Sequence, residues 1–406
     1  MSARLNIMRR IDLKPKVAVV RCPDYETETL SRSIRRSLDL IGGPSAFLKP
    51  RSRVFVKVNL LSSSAPPEKA TYTHPLFTQE VLRLFKDHDV DITVGDDIFS
   101  GEGDSFSSNG YRRVCTQLGV RLVNLKETGF AEVPARGKVL EKIFIARPLL
   151  EADVIVNLPK LKTHSFTIFT GAVKNMFGVI PHGLRLDCHR RFIRNDVFSD
   201  MLVDVFACAR PHLTIMDSVI GLEGEGPSAG RPKDIGLILA GSDGVALDAA
   251  AARIVGYDPL RIYTTYHAHE RELGIGDIKL IEIAGEKIKD VEVKDFKPSV
   301  VAVRLFRRRL PSLLYSYFQG QLALIPEVIG STCTACRECL NICPAKAIGL
   351  IQRVVRINEK KCIRCLCCHE VCRFNAIRLK QLPLGRLFRR ANAIYGRVAS
   401  AIGRIF

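Results

Sequence analysis

From residue 16 to about 285, short apolar runs alternate with stretches whose apolar residues recur at helical spacing. "KVAVVRC" (16–22) predicts a strand. "ETLSRSIRRSLDLIGG" places Leu30, Ile34, Leu38 and Ile41 three or four apart and stops at Gly42 and Gly43, which predicts a helix and its end. "RVFVKVNLL" and "VDITVGDD" predict strands on either side of a helix, "HPLFTQEVLRLFKDH". "ADVIVNLPK", "HLTIMDSV" and "DIGLILAGSD" add three more strands, the last followed by the helix "GVALDAAAARIVGY". The strands are continuously apolar rather than alternating, so both faces of their sheet are expected to be covered. The pattern gives an α/β class with a mostly parallel sheet covered by helices, over residues 1–295.

Polar residues gather behind these strands. Lys57 and Asn59 follow the first "RVFV". Asp96 and Asp97 follow "VDITV". Asn157, Lys160, Lys162 and His164 follow "DVIV" within "VNLPKLKTH". Asp217 precedes the glycine-rich "GLEGEGPSAG", with Gly224 and Gly226, and Asp243 and Asp248 follow "GLILAG". Ligands of open parallel sheets bind beyond the carboxyl ends of strands, so these five clusters are expected to converge on one cleft. "GAVKNMFGVIPHG" adds Lys174 and Asn175 close behind the lysine-rich turn. The expectation is an anion site. Lys160, Lys162, His164 and Lys174 are its reactive groups, and Lys57, Asn59, Asn157, Asn175, Gly224, Gly226, Asp217 and Asp243 its binding groups. Each cluster alone also reads as a solvated loop. Asp243 reads equally as a helix cap, and the glycine-rich segment as a tight turn, because it matches neither the P-loop nor the dinucleotide fingerprint.

Nine of the 13 cysteines lie between Cys333 and Cys372. "CTACRECLNICP" and "CIRCLCCHEVCR" both fit C-x2-C-x2-C-x3-C, in which three thiolates hold one iron–sulfur cubane and the fourth reaches across to a second. The spacing assigns Cys333, Cys336, Cys339 and Cys372 to one [4Fe-4S] cluster. Cys362, Cys365, Cys368 and Cys343 hold the other. Zinc has no use for eight interleaved ligands. Cys367 falls out of register and is expected to pack beside the cluster, and Arg373 stands where a proline is usual. The segments between the motifs read as short strands, so residues 331–382 form a small α+β ferredoxin domain. The other cysteines (Cys22, Cys115, Cys188 and Cys208) read as small buried apolar residues.

The net charge of +19 is uneven. Residues 296–406 hold 20 Lys+Arg against 4 Asp+Glu. Two clusters of roughly −2 each offset little of that excess. Part of it lies in a basic, apolar linker (296–330). Part lies in "LGRLFRRANAIYGRVASAIGRIF", where the apolar residues fall on one helical stripe and the arginines largely off it. The tail 383–406 therefore reads as a basic amphipathic helix for an anionic membrane surface, a face packed on the protein, or a contact for an acidic redox partner. Nucleic acid is not expected, since no recognition motif accompanies the charge. No run of about 18 apolar residues predicts a membrane span, and the N-terminus has no signal-like apolar core. The expectation is a cytoplasmic protein, with peripheral attachment at the inner membrane surface through the tail.

"KVNLL", "NLPKLKTH", "GAVKNMFGVIP", "DSVIGLEGEGP" and "GSDGVALDAAA" together resemble the domain-of-unknown-function 362 family, whose members often carry a two-cluster ferredoxin domain. The resemblance covers roughly residues 16–285 and the ferredoxin part. It extends to His189, while Arg185 stands where a lysine is frequent. It implies this architecture and a site, and it supplies no substrate. The leading functional reading is an iron–sulfur oxidoreductase of an anaerobe, exchanging electrons between two [4Fe-4S] clusters and an anionic substrate, with a redox partner protein or low-potential donor. The competing readings are a non-catalytic electron carrier and a non-redox enzyme with structural or sensing clusters.

Overall fold

A ten-stranded sheet forms the larger unit of the computed structural model, which describes residues 14–60, 66–98, 106, 108–135, 137–299, 324–352, 354–372 and 374–381. In chain order its strands are β1 (Lys16–Arg21), β2 (Arg53–Val58), β3 (Asp91–Asp96) and β4 (Arg121–Asn124). A separate ribbon, β5 (Phe130–Pro134) with β6 (Lys142–Ala146), intervenes. The sheet resumes with β7 (Val154–Leu158), β8 (Lys160–His164), β9 (Ile168–Thr170), β10 (Leu213–Glu223), β11 (Arg231–Gly241) and β12 (Glu282–Gly285). The order is β12-β1-β11-β10-β7-β2-β3-β4, with β8 beside β10 and β9 beside β8. Only the β11 and β9 pairings are antiparallel, so the sheet is mostly parallel.

Both faces are covered. Leu30 and Ile34 of the helix Thr27–Asp39, with Phe77, Val81 and Phe85 of the helix Pro75–Lys86, pack on Val54, Val56, Val94 and Val156. Phe198, Leu202 and Phe206 of the helix Asn195–Cys208 cover the other face with Phe55 and Ile155, and the alanine-rich helix Gly244–Ile254 packs beside them. Burial on both sides explains the near-continuous apolar strands.

The segment after Leu158 is a strand rather than the expected turn. Pro159, which has no N–H, separates β7 from β8, and its carbonyl accepts from Asp217 N at 2.9 Å. The chain then resumes beside β10, pairing Lys160 with Asp217 and Lys162 with Leu222. All five residues of β8 are buried.

The second unit contains β13 (Leu324–Val328), β14 (Ile348–Ile351), β15 (Val354–Ile357) and β16 (Ile377–Gln381), paired β13–β16 and β14–β15. Two short helices, Glu338–Asn341 and Cys367–Val371, complete it. It begins earlier than residue 331, because β13 takes its residues from the expected linker. At the linker's other end Phe296 packs into the larger unit. The rest of the linker from residue 300 to 323, and the expected tail helix 383–406, lie outside the described residues. The internal repeat is visible in the backbone. Left-handed residues Ala335, Arg337 and Lys346 recur at the same interval as Arg364, Leu366 and Asn375. No helix among the described residues is long and apolar enough to cross a membrane.

Candidate functional site

The cysteines fall into two groups of four. Cys333, Cys336, Cys339 and Cys372 line one small apolar cavity with Val328, Val355 and Ile377. Cys343, Cys362, Cys365 and Cys368 line a second with Pro326, Ile348 and Ile357. The two quartets are those the spacing assigns. None of the 13 cysteines is in a disulfide. Backbone N–H groups aim at sulfur in both halves, Ala347 N at Cys343 Sγ (3.3 Å) and Ala376 N at Cys372 Sγ (3.2 Å). Burial, with the neighbouring thiols Cys372, Cys336 and Cys333, pushes the Cys339 thiol up to about 11. Coordination of Cys339 to iron would remove that penalty, because a coordinating thiol is deprotonated outright. Four convergent sulfurs, apolar walls and amide donors to sulfur fit an iron–sulfur cluster.

The helix Cys367–Val371 joins this unit to the larger one. Cys368 belongs to the second sulfur group, while Cys367, Glu370 and Val371 line a cleft in the α/β unit. Ile342, Cys365 and Cys367 form an apolar contact with Leu186. His369 lies near Glu225 O (Nε2, 3.4 Å), and Ser228 Oγ donates to His369 O at 3.2 Å. The hairpin between β10 and β11 thus braces the ferredoxin unit.

The cleft has about 860 Å³ of open space, part of it continuous with solvent. Lys57, Asn59, Asp96, Asp97, Lys174, Asn175, Arg185 and His189 are among its polar lining residues. Leu60, Phe177, Leu186, Ile342 and Val371 supply apolar wall. Lys57 is fully buried and pairs with Asp96 at 2.7 Å, and burial pushes the lysine down and the carboxyl up. Gly178 is required here, because a Cβ would strike Asp96 Oδ1. Arg185 pairs with Asp97 at 2.7 Å. The amides form a chain: Lys162 Nζ donates to Asn59 Oδ1 (2.7 Å), Asn59 to Asn175 (2.9 Å), Asn175 to Asn157 (2.7 Å), and Asn157 to Ala172 O (3.0 Å).

The expected cationic floor is divided. Lys160 points away from the cleft, held by Asp217 Oδ2 (2.8 Å) and Tyr25 OH (2.7 Å). Tyr25 donates to the other carboxylate oxygen. Asp217 is therefore the counter-ion of Lys160, not a cleft group. Lys162 is held by Asn59 and Thr71 O, and burial, followed by Lys174 and Lys160, lowers its pKa to about 7. His164 Nδ1 accepts from Phe166 N (3.0 Å) and Thr167 N (3.3 Å). Its Nε2–H therefore faces Glu370 Oε1 at 3.3 Å. Lys162 and Lys174 act on the same carboxylate electrostatically. A ferredoxin-unit carboxylate thus answers part of the charge that the sequence reading leaves for a ligand.

Three further residues fall elsewhere. Gly224 and Gly226 belong to the β10–β11 hairpin. Gly224 has φ +77°, and Gly226 packs so closely on β8 that a Cβ would meet Thr163 O. Ser165 N and Oγ both donate to Gly226 O. Asp243 follows β11, which runs antiparallel, so it does not share the carboxyl edge of β2 and β3. It caps the helix Gly244–Ile254, accepting from Val245 N and Ala246 N, and also accepts from Ile275 N. Asp248 accepts from Ala172 N and Val173 N at the start of the helix Ala172–Asn175, which presents Lys174 and Asn175.

Glu370 escapes a sequence reading because it lies between two cluster cysteines, and nothing there signals a reach into another unit. Arg185 and His189 lie on the helix His182–Arg191, away from any strand end.

Comparison with known proteins gives two family matches, a domain of unknown function (DUF362) at residues 54–253 and a 4Fe-4S binding domain at residues 355–378. A thylakoid-associated protein of Synechocystis is 31% identical over 267 residues, covering 64% of this chain and 79% of that protein. A polyferredoxin-like protein of Methanocaldococcus jannaschii is 33% identical over 66 residues, covering 13% of this chain and 39% of its own length. Among solved structures, the lactate racemase apoprotein of Thermoanaerobacterium thermosaccharolyticum matches 57% of this chain and 54% of its own, at 15% identity and a TM-score of 0.36.

Proposed function

The chain belongs to the DUF362 family and carries a 4Fe-4S binding domain, and from that premise we propose that it is an electron-transfer protein with two [4Fe-4S] clusters serving a small anionic molecule in the α/β cleft. One observation carries the reading: the five-residue helix Cys367–Val371 gives Cys368 to a sulfur quartet and Glu370 to the cleft. A bound [4Fe-4S] cluster takes up and releases single electrons. The chain's own residues set the direction. Cys336 of the outer quartet is exposed, where a redox partner protein can approach. Cys365 of the inner quartet packs with Leu186, on the cleft side. Lys174 and Arg185 then hold the anion, and Ile342 and Val371 shield it from water. The polyferredoxin-like relative fits the same role.

Iron analysis and low-temperature EPR after anaerobic purification test the cluster count. About eight iron per chain is expected, with spins that interact on reduction. About four iron and one isolated spin would contradict it. Native mass spectrometry tests the cleft: a small bound anion is expected in the wild type and absent from Lys174→Gln at equal iron content. Its absence from both would count against the cleft reading.

Peripheral membrane attachment is a second part of the proposal. The basic amphipathic pattern of residues 384–406 supports it, as does a relative described as thylakoid-associated. The full chain is expected to pellet with anionic vesicles at low salt. Deleting 384–406 should release it, and high salt should do so in part. Wild-type protein that stays in the supernatant at low salt would contradict the attachment.

A further inference from the structure

Four buried side-chain atoms of cleft-lining residues have no hydrogen-bond partner among the described residues: the nitrogens Arg185 Nε and His189 Nδ1, and the carboxylate oxygens Asp97 Oδ2 and Glu370 Oε1. Buried polar groups in native proteins are nearly always matched, and the Arg185 Nε–H can only donate, so on that side the cavity is short of an acceptor. Arg185 Nη2 lies 2.7 Å from Asp97 and 3.3 Å from His182 Nδ1, while Nε, on the same guanidinium edge, has no partner. His189 is 6% exposed, and its ring is fixed among Phe166, Phe177 and Phe198 at centroid distances of 6.3, 5.9 and 4.5 Å. The Lys174 ammonium lies 5.6 Å from the Phe177 ring centre and has no hydrogen bond or ion pair among the described residues.

We propose that Lys174, Arg185 and His189 form the seat of a single carboxylate whose ligand has an apolar body, lying against Leu186, Ile342 and Val371. The proposal rests on the cleft reading above and names its ligand class. Charge balance selects the head group. Lys57 is answered by Asp96, Arg185 by Asp97 and Lys160 by Asp217. Glu370 acts on Lys162 and Lys174 together, and burial lowers the Lys162 pKa to about 7, so these side chains leave at most one positive charge. A monoanion stays within that limit. A phosphate, at about −1.5 to −2, would leave negative charge uncompensated in a buried place. Shape agrees, since two in-plane oxygens of a carboxylate can accept from the Arg185 Nε–H and from a lysine at once. His189 serves as a neutral third partner, because burial, and then Lys174 and Arg185, lower its pKa to about 3. The apolar wall contributed by the ferredoxin unit favours a ligand that buries carbon there.

The test is calorimetry on the anaerobically purified, cluster-loaded protein, with benzoate, hexanoate and inorganic phosphate as probes. Benzoate and hexanoate should bind saturably and at least tenfold more tightly than phosphate. Lys174→Gln should weaken both at least tenfold at unchanged iron content. Phosphate binding as tightly as benzoate would overturn the ligand class and leave the cleft reading standing. Carboxylate binding that Lys174→Gln leaves unchanged would overturn the seat. No binding of any probe by iron-replete wild type would overturn both. The order of the three probes on the wild type needs no variant, so a variant that misfolds does not shield the proposal.

Discussion

Asp217 forms one end of a buried ion pair. Lys160 is 1% exposed and Asp217 fully buried, and Tyr25, stacked on His74 at 3.8 Å, bridges them. Removing one member strands the other, so Asp217→Ala should lower stability by about 3–5 kcal/mol in denaturant unfolding. Lys160→Met together with Asp217→Leu should recover much of that loss. His74 makes the same cluster sensitive to acid. Its Nδ1 accepts from Leu76 N, and burial lowers its pKa to about 4, opposed by Asp217 and reinforced by Lys160. A depressed histidine stabilises the fold above its ordinary value near 6.5, and that stability is lost as pH falls through 4. His74→Asn keeps an acceptor at the cap and should flatten the pH 6.5-to-4 limb by up to roughly 3 kcal/mol. At this scale the sequence was most legible in the cysteines, because cluster spacing is local. Cys367→Ala should keep the iron of the wild type, while Cys368→Ala should lose about half. The lysine partners were not legible, since Tyr25 and Asp217 reach Lys160 only through the fold.

The hairpin between β10 and β11 works as a bracket. Gly226 lies against Thr163 of β8, while Glu225 O and Ser228 Oγ touch His369 beyond it. Gly226→Ala must push the loop off β8, and should cost roughly 2 kcal/mol or more. It should also speed proteolysis between the two units while leaving the iron content of the ferredoxin unit intact. Normal melting and unchanged cleavage would show that the loop tolerates the methyl group. The strands β2, β3, β7 and β10 were readable because two-sided burial writes itself as unbroken apolar sequence. β8 was not, because "KLKTH" is polar, and its burial depends on Asn59, Thr71, Asp217 and Glu370 supplying partners from distant positions. The reversed direction of β11 was equally hidden, and it takes Asp243 out of the site.

In the whole molecule the ferredoxin unit closes one side of the cleft, and Glu370 is the group it inserts. The expectation of five converging strand ends is replaced by three, at β2, β3 and the β7–β8 break, completed by the helix His182–Arg191 and by the cluster unit. The anion seat and the clusters are neighbours, joined through the helix Cys367–Val371. The most direct measurement is 19F NMR of 4-fluorobenzoate with the cluster-loaded protein, before and after dithionite reduction. Reduced clusters are paramagnetic, so the bound resonance should broaden on reduction in the wild type and not in Lys174→Gln. A resonance that is bound yet equally sharp in both redox states would place the anion far from the clusters and contradict the account.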